Sequence, residues 1–258
     1  MVNVGVIEFS GLHQRCSWTG IALTSADIED LAGRIRERTL DFERGVEVAE
    51  LLLDLASTGM AEDFVKNFLA KSDDEEVKHW QVGEALAEAL LEDGHSVMFP
   101  WNTRRDERTI RASLPGADLV GLSTGPVEDA MLVFGEVKSS ADTNNPPQVV
   151  YGKSGLVQQL EHLVDNAAIQ FKLIRWLEAR VPLTESERFE CALANFVNSQ
   201  GTGLRIIGCL VRDTMPSETD VVERGRKLGA LVQAPGQAEL LVWYMPISMD
   251  DWPSLAAA

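Results

Sequence analysis

Positive charge is what this chain has least of: 23 Lys and Arg stand against 40 Asp and Glu, a formal net charge of -17 over 258 residues. Spread evenly, that balance repels a nucleic-acid backbone. Contact with nucleic acid then requires either cations gathered on one face or a partner subunit that carries the strand. Cysteine is scarce as well. Cys16, Cys191 and Cys209 are odd in number, far apart and free of CxxC or Cys/His spacing, which argues for reduced thiols and against a disulfide framework. His13, His79, His95 and His162 show no metal-ligand spacing, so a zinc site is not expected. No run approaches the roughly 18 apolar residues of a membrane span, and the opening MVNVGVIEFSG lacks the basic and apolar regions of a signal peptide. The chain is therefore expected in the cytoplasm. Neither GxxxxGK[ST] nor GxGxxG occurs, and the GTGLR run at Gly201 has the wrong spacing for a phosphate loop, so ATP hydrolysis within the chain is not expected. Internal repeats are absent too.

A hydrophobic content of 45% is ample for a sizeable core. Asn3 to Phe9 and His13 to Leu23 read as two strands with Ser10-Gly11 as the turn. Ser25 is placed to cap a helix through about Arg38, with Ile28, Leu31, Ile35 and Leu40 on its apolar face. Further helices span Val46 to Leu55 and Ala61 to Leu69. The acidic patch Asp73-Asp74-Glu75-Glu76 is suited to open the next helix, where negative charge meets the positive end of the dipole. Strands follow at His95 to Phe99, Ala117 to Leu122 and Met131 to Lys138. Asn144-Asn145-Pro146-Pro147 marks a loop, Ser154 to about Glu178 one long helix with Leu156, Leu160, Leu163, Ala167, Phe171 and Ile174 at core spacing, and Glu185 to Asn198 another. Leu204 to Arg212 is a continuous apolar strand, Asp220 to Leu231 a helix and Ala238 to Tyr244 a last strand. This order implies an α/β fold with a mixed central sheet flanked by helices: a β-plus-helical extension over residues 1–72 packed on a core over 73–258, one compact domain overall.

The stretch that carries chemistry is MLVFGEVKSS, Met131 to Ser140. Alternate residues of a strand share a face, so Glu136 and Lys138 point the same way, and a core strand has little structural use for two opposite charges. Eighteen positions upstream of Glu136, PGADLVGL places Asp118 at the head of another apolar run. Two carboxylates and the backbone carbonyl of Val137 form a plausible protein share of a magnesium shell. A water would then serve as nucleophile, with Lys138 orienting it and stabilising developing negative charge. In QVGEALAEALL, Glu84 follows Gly83, which permits close approach of the sheet; Glu84 is therefore preferred over Glu88 as a further ligand. Both are equally at home on a solvated helix face. Gln159 is a candidate for holding a substrate phosphate or the attacking water, against the plainer reading of a surface glutamine. Arg104, Arg105, Arg108 and Arg111, in WNTRRDERTIR, are candidates for phosphate contact, against a solvated loop paired with Asp106 and Glu107. Trp80 and Trp101 flank these segments and suit either base stacking or packing. Glu76-Val77-Lys78 repeats the E-x-K triplet in a polar segment and is expected to be solvated surface.

Asp118, the gap, and Glu136-x-Lys138, bracketed by helices, resemble the PD-(D/E)xK nuclease superfamily with its restriction-endonuclease-like fold. The resemblance covers roughly Glu75 to Arg212. It implies Mg2+-dependent phosphodiester cleavage, with Mn2+ as a substitute, with Asp118 and Glu136 as acidic ligands and with Lys138 as the catalytic cation. Ala117 stands where that superfamily has proline. Within it, the Gly83-Glu84 helix, the GAD strand and GEVK are similar to the nuclease subunit of the Hachiman anti-phage system, which works with a helicase. That resemblance implies a DNA nuclease whose basic track belongs to a motor partner. Two rivals stand beside it: a non-catalytic nucleic-acid-binding or scaffold subunit on the same fold, and an acidic decoy of DNA charge.

Overall fold

The computed structural model describes residues 4–72, 76–106, 116–152 and 154–257. Seven strands form one mixed sheet: β1 (Val6–His13), β2 (Cys16–Ala22), β3 (Val97–Met98), β4 (Leu119–Ser123), β5 (Leu132–Ser140), β6 (Leu204–Arg212) and β7 (Gln237–Tyr244), in the order β1-β2-β7-β6-β5-β4-β3. The four central strands β2, β7, β6 and β5 run parallel, and the outer pairs β1-β2, β5-β4 and β4-β3 are antiparallel. The parallel strands read as nearly unbroken apolar runs because helices cover both of their faces. Alternation then sorts the side chains. Leu132 and Phe134 of β5, Ile206 and Leu210 of β6, and Leu240 and Val242 of β7 enter one core; Val133, Val137, Ile207, Cys209, Leu241 and Trp243 enter the other.

Helices α1 (Ser25–Leu40), α4 (His79–Gly94) and α10 (Ser254–Ala257) lie on the Val137 side. Helices α6 (Leu156–Asp165), α7 (Ala167–Glu178), α8 (Ser186–Asn198) and α9 (Val222–Leu231) lie on the Phe134 side, with the single turn α5 (Gln148–Tyr151) before them. The first 72 residues are woven into this plan: β1 and β2 continue the sheet, and α1 packs on α4. Helix α2 (Phe42–Asp54) packs on α1 and on α3 (Gly59–Ser72). No residue of α2 is buried, and Leu51, Leu55, Met60, Phe64 and Phe68 are exposed.

Several local expectations are corrected. The β1-β2 turn falls at Gln14-Arg15, with Gln14 at φ +51°, and Ser10-Gly11 lies within β1. Gly11 is needed for contact, since a Cβ there would strike the Trp18 indole. Thr24, not Ser25, caps α1: its hydroxyl accepts from Asp27 N–H while Asp27 accepts from Thr24 N–H, a capping box. Thr39 is buried on α1, whereas Leu40 is exposed. The fourth helix begins at His79, after the acidic patch; Asp73 to Glu75 lie outside the described residues, and Glu76 is 82% exposed and paired with Lys78. The long helix expected from Ser154 is two. Asn166 ends α6 and its side chain accepts from Ala168 and Ile169 N–H to start α7. The break turns the apolar stripe, so Leu173 and Leu177 are buried and Phe171 is exposed.

Candidate metal centre

The site grows out of the place where β4 stops pairing with β5. The ladder ends at Leu119↔Gly135. One residue further out, Asp118 N–H still donates to the Gly135 carbonyl at 3.1 Å, and the next rung is made by a side chain: Val137 N–H donates to Asp118 Oδ2 at 2.9 Å. Asp118 thus replaces a strand residue and is pinned against β5. The N–H and C=O of one strand residue leave by the same edge, so the Val137 carbonyl lies on the Asp118 side of β5 as well.

Glu136 and Lys138 meet Asp118 there. Lys138 Nζ lies 3.3 Å from Glu136 Oε2 and 3.8 Å from Asp118 Oδ2, and the Asp118 and Glu136 carboxyls stand within hydrogen-bonding reach of each other. The Glu136 side chain is 5% exposed, those of Asp118 and Lys138 25% and 23%. Burial and the Asp118 charge push Glu136 up to about 8 against the opposing pull of Lys138. Two carboxylates with one ammonium remain short of positive charge, and a hard divalent cation is the partner their oxygens suit.

Glu84 sits on α4, which packs close to β5 because residue 83 is glycine: a Cβ there would overlap Ser139 Oγ. Burial first, and the Asp118 charge second, raise Glu84 to about 8, with Arg104 opposing. The structure does not bring Glu84 fully into the cluster. Its Oε2 pairs with Arg104 Nη2 at 2.6 Å, and among the described residues no three carboxylate, histidine or cysteine side chains form a group able to hold a metal ion. Two carboxylates converge, and the third is held beside them. Glu88, one turn on, is engaged elsewhere, 3.6 Å from Arg38.

The arginine cluster divides. Arg104 is paired with Glu84 and lies over the Trp80 ring at 5.1 Å; Arg105 donates to both oxygens of Asp41 at 2.8 and 2.9 Å and lies over Trp101 at 5.2 Å. Both tryptophans thus face guanidinium groups. Asp106 accepts from Trp176 and Arg180. Arg108, Arg111 and Glu107 lie outside the described residues. Gln159 is on α6, which is seated over the Glu136 row: a Cβ on Gly208, the register partner of Glu136, would lie 2.5 Å from Leu160. Gln159 Oε1 is buried without a hydrogen-bond partner among the described residues.

A second polar centre escaped the sequence reading. Arg212 and Asp220 are both fully buried and pair at 2.6 Å; Tyr244 donates to the same Asp220 oxygen at 2.8 Å. Arg212 also donates to Asn145 Oδ1 at 2.6 Å, to the Asn144 carbonyl at 3.1 Å and to the Asp142 carbonyl. It therefore anchors the loop that follows the Glu136-Lys138 strand. The available signal was an arginine ending the apolar run LRIIGCLVR, which when buried requires a carboxylate.

No helix of the described residues is long and apolar enough to cross a membrane. No family model matches the chain, and no curated protein matches it.

Proposed function

We propose that this chain is a Mg2+-dependent nuclease acting on DNA phosphodiester bonds, with Asp118, Glu136 and the Val137 carbonyl as its ion-holding face and Lys138 as its catalytic cation. The observation that carries this reading is the convergence of Asp118, Glu136 and Lys138 at one edge of β5, joined by the Val137–Asp118 hydrogen bond. When bound, the ion would polarise the scissile phosphate and favour ionisation of a water near it. The protein's own share follows from the geometry. The bond from Val137 N–H fixes one Asp118 oxygen, leaving the other as a ligand. Glu136, nearly buried, cannot swing to solvent. Lys138, about a quarter exposed, reaches the mouth of the site and can place its ammonium against a phosphate oxygen as charge grows there.

The net charge of -17 favours a role in which a partner delivers the DNA. A helicase partner and an anti-phage role rest on the motif resemblance. The test is cleavage of plasmid and linear DNA by the purified chain, alone and with its genomic neighbour, with and without Mg2+. Glu136→Gln and Lys138→Ala should each lower the rate by about 10²- to 10⁴-fold while circular dichroism stays native. Undiminished cleavage by Glu136→Gln sinks the reading. A non-catalytic subunit would bind no Mn2+ at Asp118 and would cut with neither partner nor metal.

A further inference from the structure

We propose that Arg104 is a positioning residue that holds Glu84 away from the Asp118–Glu136 pair until a phosphate of the substrate draws its guanidinium off. The inference rests on the reading of that pair as a divalent-cation site.

Arg104 belongs to a short 3-10 turn, Thr103–Asp106, whose two ends are tied down. On one side Asn102 Nδ2 donates to the Glu37 carbonyl and to Asp41 Oδ1, both at 3.2 Å, and Arg105 donates to Asp41. On the other, Asp106 accepts from Trp176 at 2.8 Å and from Arg180 at 2.5 Å. Arg104 N–H itself donates to Asn102 Oδ1 at 3.0 Å. The backbone of Arg104 is therefore fixed between α1 and α7, and movement is left to its side chain. That side chain is 9% exposed, lies on Trp80 and meets Glu84, one helical turn beyond Trp80, at 2.6 Å.

Glu84 has two neighbours with opposite demands. Arg104 meets it at 2.6 Å on one side, and on the other Gly83 beside it seats α4 against Ser139 of β5, the strand of Glu136 and Lys138, so that the Asp118 charge bears on it. With Arg104 in place the carboxylate is satisfied by a guanidinium and stands apart from the Asp118–Glu136 pair, so the described residues hold two converging carboxylates rather than three. A guanidinium binds phosphate with the same two-pronged geometry it offers a carboxylate. Among the described residues, Arg104 is the cation paired with Glu84, and its side chain is nearly buried. When it turns to a phosphate, Glu84 is left largely buried without its counter-charge, and a divalent ion shared with Asp118 and Glu136 becomes its best partner. Substrate and metal would then favour one another's binding, as linkage requires.

The experiment is a double-mutant cycle on Mn2+ affinity, read from the electron paramagnetic resonance signal of free Mn2+, with no nucleic acid present. The variants are Arg104→Met, Glu84→Gln and the pair combined, each checked for native circular dichroism. Removing the clamp should tighten Mn2+ binding by about tenfold, within the usual range of site coupling. Glu84→Gln alone should change little, and Arg104→Met should gain nothing in the Glu84→Gln background. A gain that persists with Glu84→Gln is a plain charge effect and overturns the proposal, as does unchanged or weaker binding by Arg104→Met. Arg104→Lys, which keeps the charge, should stay near the wild-type affinity. A second arm stands even if Arg104→Met fails to fold: an uncleavable phosphorothioate DNA oligonucleotide should tighten Mn2+ binding more in the wild type than in Glu84→Gln, and an equal effect in both overturns the clamp. Asp118→Asn separates the two levels. If it binds Mn2+ like the wild type, the cation-site reading fails; if it loses Mn2+ while the cycle shows no coupling, only the clamp fails.

Discussion

Replacing Asp220 by Asn is the sharpest test of how this fold holds its interior charge. The substitution keeps size and hydrogen-bonding shape but removes the negative charge 2.6 Å from a guanidinium that is itself fully buried. Tyr244 O–H loses its ionised acceptor at the same time. Leaving one member of a buried pair uncompensated costs about 3–5 kcal/mol, which in a protein of this size lowers the melting temperature by about 2–4 °C per kcal/mol. The assay is urea unfolding at neutral pH, with the slope unchanged and the midpoint lowered. A loss below about 1 kcal/mol would refute the argument, because it would mean that Arg212 is solvated or neutralised by groups other than Asp220. The double variant Arg212→Met with Asp220→Leu should recover most of the stability, since an apolar pair of similar volume is often neutral. It should not restore the ties to Asp142, Asn144 and Asn145. Amide exchange in that loop should therefore stay fast in the double variant while the rest of the molecule regains protection.

Glu88 provides a pH test. Burial, outweighing Arg38 and Arg104, raises it to about 7; a carboxyl with a raised folded pKa favours folding below its unfolded pKa, and that contribution is lost as pH climbs from about 4.5 through about 7. Glu88→Gln should flatten this fall by up to about 3 kcal/mol in urea titrations between pH 5 and 7.5, and an unaltered slope would place the titration elsewhere. Asn166→Ala removes the acceptor for Ala168 and Ile169 N–H and should cost about 0.5–2 kcal/mol in the same assay. Gly229→Ala on α9 pits two known effects against each other: about 1 kcal/mol of helix propensity gained, and overlap of the new Cβ with the His13 carbonyl oxygen, which cannot rotate away. Overpacking of about 1–3 kcal/mol should win, so a higher melting temperature would show that α9 can slide from the β1-β2 turn.

The parts of the molecule legible in the sequence are those where one physical preference acts alone. Apolar runs with Val, Ile and Leu located β4 to β7, and the charges of Glu136 and Lys138 stood out because their strand was otherwise core. Gly83 was readable too, as a helix position where only a missing side chain lets α4 approach β5. Misreadings occurred where local and tertiary preferences compete. Gly11 carries the mark of a turn, yet its task is to make room for Trp18, and the true turn uses Gln14. Asn166 lies inside a helical pattern, and only its capping bonds show that the pattern contains two helices. The partners of Arg104 and Arg212 were unreadable for a different reason: Glu84 and Asp220 approach them through packing, which no spacing in the chain announces.

Strand β2 has a consequence for how the protein is made. It pairs in parallel with β7, setting Cys16 beside Ala238 and Ala22 beside Tyr244, so a strand near the start of the sequence finds its sheet neighbour near the end. Closing so long a loop costs entropy before any contact compensates for it, and folds dominated by such pairings assemble slowly. During synthesis the β1-β2 hairpin must wait, with the inner edge of β2 unpaired, until β7 has left the ribosome. Until that moment Trp18 and Cys16 lack the cover that buries them in the finished protein, and an exposed apolar surface beside an unpaired strand edge is open to aggregation.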